Sequence, residues 1–225
     1  MTPAPIASAG LLLLTAYLLG SIPTGYWAGQ VLQGIDIREH GSKSTGATNV
    51  LRTLGKPAAI AVLAIDILKG MAAVGVIRLV YQQGWFPALP NTWQDWLLIG
   101  TAMLAMIGHS RSIFLNFTGG KSVATSLGAL FVLNLWLALG TLGTFLGVIA
   151  LSRIVSLSSI SAAIAASLVV LTLQLPLPYL VFTLIAGTYV IIRHRANIQR
   201  LLQGTEPKLG QKMAQPTEGE GLTGT

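Results

Sequence analysis

The 225-residue chain has no cysteine, only seven carboxylates, and charge on just 9% of its residues. Without cysteine there is no disulfide, no thiolate nucleophile and no thiolate metal site. A soluble domain carries charge on about a quarter of its residues. That scarcity, with 52% hydrophobic residues, predicts one all-α integral membrane domain over 1–203 and a disordered cytoplasmic tail over 204–225. The three histidines, His40, His109 and His194, lie far apart in the sequence, which argues against zinc. Neither metal nor cofactor is expected. A formal charge of +7 can suggest nucleic acid, but in a membrane chain it first means cytoplasmic loops and anionic headgroups. The expected partner is therefore the lipid bilayer, not nucleic acid.

Several catalytic signatures are also missing. There is no Gly-x-Ser-x-Gly elbow, and no histidine has an aspartate five residues later, as coenzyme-A-dependent glycerolipid acyltransferases do. The aspartate-rich signature of metal-dependent phospholipid synthases is absent, and so few carboxylates argue against divalent-metal phosphoryl transfer.

Apolar runs cover 6–32, 57–81, 93–114, 122–133, 135–151, 156–173 and 178–192. The first lacks the basic start of a signal peptide, so it is expected to remain in place. Ser21 to Gly25 interrupts it, read as a packing kink. The fourth run is about half the ~20 residues a span needs. Counting it gives seven transmembrane helices with the amino end outside and the carboxyl end cytoplasmic. The inward loops then hold 12 of the 14 basic residues and the outward loops none, as the positive-inside rule requires. Asp66 and Lys69, three apart in the second span, share a helical face and read as a structural pair, with part of a polar cavity the alternative. Trp85, Trp93 and Trp96 read as interfacial anchors.

Gly41 to Lys56 is polar, basic and glycine-punctuated. Glycines that let backbone N–H groups approach a ligand, hydroxyls and free cations suit phosphate, although the P-loop spacing fails. A solvated, positive cytoplasmic loop is the alternative. Every other expected inward loop also carries a small polar motif. Gly108 and His109 precede Gly119-Gly120-Lys121, where a helix start and an ammonium suit an anion. Ser156, Ser158, Ser159 and Ser161 crowd a third helix start, and His194 and Asn197 share a face beyond the last run. Four such motifs on one membrane face make a bowl for phosphate groups.

Gly-Ser-x-x-x-Gly-Ala-Thr-Asn-Val-Leu-Arg (41–52), Gly-His with Phe-x-Gly-Gly-Lys-x-Val-Ala-Thr (108–125), the serines and Arg-His-Arg-x-Asn-Ile (193–198) resemble the bacterial membrane acyl-phosphate:glycerol-3-phosphate acyltransferases, the PlsY family. The resemblance implies seven helices and acyl transfer from a fatty acyl phosphate to glycerol 3-phosphate, giving lysophosphatidate and phosphate. It implies that Gly41, Ser42, Gly46, Thr48, Asn49 and Arg52 hold the acyl phosphate, and that Lys121, Ser159, His194 and Asn197 hold glycerol 3-phosphate. Ser42, Arg52, His109 and Lys121 would be catalytic, and Gly108, Gly119 and Gly120 would shape the loop. With no obvious carboxylate base, a donor phosphate oxygen is expected to take the hydroxyl proton, with His109 the second choice and no acyl-enzyme. A monomer in the bacterial plasma membrane, its site on the cytoplasmic side and an acyl-phosphate-producing enzyme upstream, completes the expectation. Lys43, Ser44 and Thr45 replace the family's Gly-Asn-Pro. Arg111, Ser112, Thr118 and Ser122 also depart from its pattern, which puts the loop shape in question. A transporter or exchanger of small organophosphates is the rival from another class.

Overall fold

The structure, a computed structural model, describes residues 3–211; among them every regular element is helical. In chain order these are α1 (Pro3–Ser21), α2 (Thr24–Gln33), α3 (Ala47–Thr53), α4 (Lys56–Gln83) and α5 (Gln94–Ser110). There follow α6 (Val123–Leu133), α7 (Leu135–Ser152), α8 (Val155–Thr172), α9 (Leu177–Arg193) and α10 (Arg195–Leu202). By length and composition four units can cross a membrane: α1 with α2 as Ala4–Gln33, then α4, α7 and α8. The pair α9–α10, bent by 63°, makes a fifth if it is one span. Helix α5 has 17 residues and α6 has 11, both shorter than that measure. The bundle's outer surface carries large apolar side chains such as Leu68, Trp136, Ile164 and Leu184, as a lipid-facing surface requires. Trp85 and Trp96 are exposed, whereas Trp93, expected beside them as an anchor, packs against the core.

The break between α1 and α2 follows from Pro23, which has no N–H to donate and so frees carbonyls upstream. In an apolar medium each freed carbonyl needs a new donor. Ser112 Oγ donates to the Ser21 carbonyl (2.6 Å) and Lys69 Nζ to that of Ile22 (2.9 Å). Lys69 also pairs with Asp66 Oδ1 at 2.8 Å, and Thr24 Oγ1 donates to the same oxygen at 2.7 Å. The charged pair on α4 thus clamps both sides of the kink. The apolar run over 93–114 does not continue as helix to its end: α5 stops at Ser110. Ser112, drawn to the Ser21 carbonyl, instead opens a short turn closed by Phe117 N–H on its carbonyl (2.8 Å).

Reciprocal glycines set the two closest crossings. A Cβ on Gly20 or Gly108 would lie about 2 Å from an α5 or α1 carbonyl oxygen, at 2.1 Å and 2.3 Å respectively. One on Gly70 or Gly128 would do the same between α4 and α6, at 2.1 Å and 2.0 Å. Backbones this close are how helices pack where no hydrophobic effect drives them together. Helix α6 is short because Asn134 ends it. The backbone turns extended there, and the Asn134 side chain accepts from Leu137 N–H to cap α7. Arg78 Nη2 donates to the Leu133 carbonyl at that end.

The tail boundary differs from the composition-based expectation. Residues 204–211 are described, and they turn back onto the bundle: Glu206 is buried and Leu209 N–H donates to the Arg153 carbonyl (2.6 Å). Hydrogen bonds from three side chains hold the Glu206 carboxylate, which composition does not reveal. The remainder of the expected tail, 212–225, lies outside the described residues.

Removing one partner of a buried ion pair leaves the other uncompensated, at a cost of about 3–5 kcal/mol. Lys69→Met should therefore lower the thermal midpoint of detergent-purified protein by many degrees, while the exposed Lys56→Met should barely move it. Equal shifts for the two variants would refute the clamp.

Candidate functional site

The loop between α2 and α3 is built around Asn49, which is only 1% exposed. Its Nδ2 donates to the carbonyls of Ile37 (3.0 Å), His40 (3.0 Å) and Ser44 (2.8 Å). Its Oδ1 accepts from Ser42 N–H at 2.8 Å. Asn49, expected to bind phosphate itself, has its side chain engaged with the loop backbone. Its side chain has no donor left over. Gly41 takes φ +56°, and a Cβ there would meet Asn49 Oδ1 at 2.4 Å. Lys43 (φ 55°) and Ser122 (φ 65°) stand where the family pattern has glycine, and both keep the left-handed backbone.

With the loop fixed, Gly46 N-caps α3 without a side chain, leaving the first amides of that helix without intrahelical partners. The hydroxyls of Ser42 and Thr48 and the guanidinium of Arg52 line the same cavity. Arg52 is half-buried and makes no ion pair among the described residues.

The second motif is shaped from behind. Gly120 N–H donates to the His109 carbonyl at 3.2 Å, and a Cβ on Gly120 would lie 2.1 Å from His109 Nε2. Gly119 is pressed as closely on the His109 carbonyl. Arg193 Nη2 holds both glycine carbonyls, at 3.3 Å and 2.9 Å. This delivers Lys121 to the cavity, where its ammonium donates to Asn197 Oδ1. Asn197 Nδ2 donates to Glu206 Oε1 (2.5 Å), which also accepts from Ser156 Oγ (2.7 Å). Arg200 Nε holds the other carboxylate oxygen at 2.6 Å. Glu206 thereby fixes which way the Asn197 amide faces, and so where Lys121 sits.

Burial pushes the Glu206 carboxyl up, but the hydrogen bonds from Asn197, Ser156 and Arg200 outweigh it and hold the group below its ordinary value. Burial is also the main cause that brings Lys121 down to about 8; Glu206 opposes it, and Arg200, Arg52 and Arg193 add to it. The His194 Nδ1 lies 2.8 Å from the Val190 carbonyl. That oxygen can only accept, so Nδ1 carries the hydrogen and Nε2 of the neutral ring is an acceptor. Ser159 lines the cavity while donating to the Val155 carbonyl at 2.9 Å.

These groups surround one cavity of about 820 Å³. Its polar part holds Ser42, Thr48, Arg52, Lys121, Ser159, His194 and Asn197; its apolar arm runs between α4, α6, α7, α8 and α9 past Leu63, Leu142, Phe145 and Phe182. Gly108 and Gly119 serve from outside its lining, as does Gly41. Glu206 was not singled out in sequence, Arg193 appeared in its motif without a role, and Asp66 was read as a structural partner of Lys69 in preference to part of a polar cavity. The His109 Nδ1 lies 3.5 Å from Asp66 Oδ1, and both residues line the cavity. The site was expected to offer no obvious carboxylate base; Asp66 lies within the lining, beside His109. The contact of Asp66 with His109 was not legible, because it spans two helices.

A family model described as glycerol-3-phosphate acyltransferase matches residues 10–204. A glycerol-3-phosphate acyltransferase of Synechocystis sp. is 66% identical over 222 residues, covering 99% of this chain and 100% of the relative. One from Rippkaea orientalis is 59% identical and covers 94% of this chain and 98% of its own. Among solved structures, crystal structures of the integral membrane glycerol 3-phosphate acyltransferase PlsY, in its glycerol 3-phosphate and lysophosphatidic acid forms, superpose with a TM-score of 0.78. Each is 36% identical and covers 90% of this chain and 96% of its own.

Asn49→Asp replaces the donor that three carbonyls share with a charge facing them. Buried hydrogen-bond loss of this kind costs about 1–3 kcal/mol. Hydrogen–deuterium exchange over 41–48 should accelerate at least tenfold in the variant while α4 is unchanged; unaltered exchange in the loop would contradict the role given to Asn49.

Proposed function

This chain belongs to the PlsY family of glycerol-3-phosphate acyltransferases, and from that premise we propose the donor, the division of the site and the chemical step. The protein acylates glycerol 3-phosphate. The donor is a fatty acyl phosphate, and the observation that carries this reading is the cavity itself. Its cationic, hydroxyl-lined part meets phosphate, while its apolar arm accepts an acyl chain, so both halves of an acyl phosphate are matched at once.

Arg52, Ser42, Thr48 and the opening amides of α3 hold the donor phosphate. Lys121, Asn197 and Ser159 hold the phosphate and glycerol of the acceptor, and His194 Nε2 accepts a hydrogen bond from an acceptor hydroxyl. That hydroxyl oxygen attacks the acyl carbonyl carbon, the carbon–oxygen bond to phosphate breaks, and the proton passes to the leaving phosphate. The products are lysophosphatidate and hydrogen phosphate, without an acyl-enzyme. A mixed anhydride has a good leaving group, so placement and charge stabilisation can supply much of the acceleration. A second reading makes His109 the base, favoured by its contact with Asp66; loss of turnover in His109→Gln with an unchanged pH profile would argue against it.

The topology that goes with this reading is seven spans, amino end outside, with α5 and the short α6 counted. The site then opens to the cytoplasmic side of the bacterial plasma membrane. The protein acts as a monomer, and its donor comes from an acyl-phosphate-producing enzyme upstream. Transport of organophosphates is not favoured by any of the relatives.

Purified protein given acyl phosphate and glycerol 3-phosphate should release one phosphate per lysophosphatidate formed, with a chelator present, and should not turn over acyl coenzyme A. Robust turnover of the thioester would overturn the donor assignment.

Loss of a charge-assisted contact costs about 1.5–3 kcal/mol, so Lys121→Ala and Arg52→Ala should each lose roughly ten- to a hundredfold in efficiency. Lys121→Ala should act mainly on the glycerol 3-phosphate KM and Arg52→Ala mainly on kcat. Because the Lys121 ammonium is lost as pH rises through about 8, kcat/KM for the acceptor should fall above that pH, and Lys121→Arg should remove the fall. Identical kinetic profiles for the two alanine variants would contradict the division.

A further inference from the structure

A second pocket, of about 430 Å³, lies on the far side of the Gly119–Gly120 turn and shares no lining residue with the substrate cavity. Asp36, Arg38, Glu39, Lys43, Arg111, Thr118, Gly119 and Arg193 line it. Asp36 is consumed by Arg38, which it holds through both carboxylate oxygens, at 3.0 and 2.6 Å. Arg38 also donates to Thr118 Oγ1 (3.0 Å) and the Leu115 carbonyl (3.4 Å), and stacks on Tyr26. That leaves three cations, Lys43, Arg111 and Arg193, facing one carboxylate, Glu39. None of the three has an ion-pair partner among the described residues. Arg111 reaches only the Phe117 carbonyl, at 3.3 Å. Arg193 uses Nη2 on the glycine carbonyls, while its buried Nε has no hydrogen-bond partner.

Three clustered cations that outnumber the one carboxylate facing them repel one another and invite an anion. The turn beside the pocket indicates where the anion comes from. Ile113, Phe114 and Phe117 are 48%, 59% and 57% exposed, apolar side chains projecting from a loop next to a cationic pocket. Such a pairing of apolar anchors and basic groups suits a membrane surface bearing anionic lipid.

We propose that this pocket is a second, non-catalytic site for a phosphate-bearing anion, with the headgroup of an anionic phospholipid as its occupant while Ile113, Phe114 and Phe117 lie among the acyl chains. Arg111 and Lys43 contact the phosphate from the open side and Arg193 from beneath. Arg193 also holds the Gly119–Gly120 turn that delivers Lys121, so an occupied pocket supports the acceptor site from behind. None of these contacts requires the acyl-phosphate reading to hold.

The test uses full-length protein and the double variant Lys43→Gly/Arg111→Gln. Glycine suits the left-handed backbone at 43, and neither residue belongs to the catalytic machinery. Native mass spectrometry would count retention of dioleoyl phosphatidylglycerol against the zwitterionic phosphatidylcholine, with inorganic phosphate titrated in a separate arm. Each basic group near a membrane surface is worth about fivefold in affinity, so the variant should retain the anionic lipid more than tenfold less well. Phosphatidylcholine retention and acyl transfer in neutral lipid should be unchanged. If inorganic phosphate shows the variant-dependent binding and the lipid does not, the site is still a phosphate site, supplied from solution. If neither distinguishes wild type from variant, the proposal is overturned. Should the double variant lose its fold, Lys43→Gly alone should show the smaller, roughly fivefold loss, and its absence would overturn the proposal equally.

Discussion

The contact on which the site depends is the buried pair Asp66–Lys69. An ion pair within a membrane helix is costly, and here its cost is offset by what the pair satisfies. Lys69 donates to the Ile22 carbonyl just before Pro23, and Asp66 receives the Thr24 hydroxyl on the other side of the break. Asp66 also stands against His109, whose ring and carbonyl back the Gly119–Gly120 turn. A continuous line of contacts therefore runs from the kink in the first helical unit to the ammonium of Lys121. Pro23 and Lys121 are remote in sequence, yet each constrains the other through α4 and α5.

The second constraint is charge placement. Glu206 lies among Arg200, Asn197 and Ser156 and takes Arg200 for itself, while leaving Lys121 and Arg52 without a direct carboxylate partner. Lys121, held by the Asn197–Glu206 network, and Arg52 both line a cavity whose other end is apolar, an arrangement that suits electrostatic stabilisation. Asn49 fixes the loop before α3 in the same manner, through four hydrogen bonds to its backbone.

How much of this was legible in the sequence depended on whether the signal was local. Hydrophobic runs gave the helices to within a few residues, and Pro23 marked the kink. Asn134 lies at the only polar position between two apolar runs, where a helix end is expected. The glycine-rich loops and their cations showed where phosphate could bind. What could not be read was partnership across elements. Asp66 was visible beside Lys69 because three residues separate them on one helix, but its neighbour His109 comes from another helix. Asn49 looked like a ligand group because nothing local says that three carbonyls converge on it. Glu206 lies in a stretch whose composition suits a solvated tail, and only the fold brings it to Asn197. The apolar run extends past the end of α5 for the same reason: Ser112 is captured by a carbonyl in α1, against the preference of the apolar residues that follow it.

The most direct test of the account is a structure of this protein with glycerol 3-phosphate bound. The account predicts the phosphate at the Lys121 ammonium, a glycerol hydroxyl at His194 Nε2, and the Lys121–Asn197–Glu206 network in place without rearrangement. Glycerol 3-phosphate bound instead against Arg111 and Arg193, with the large cavity unoccupied, would contradict it.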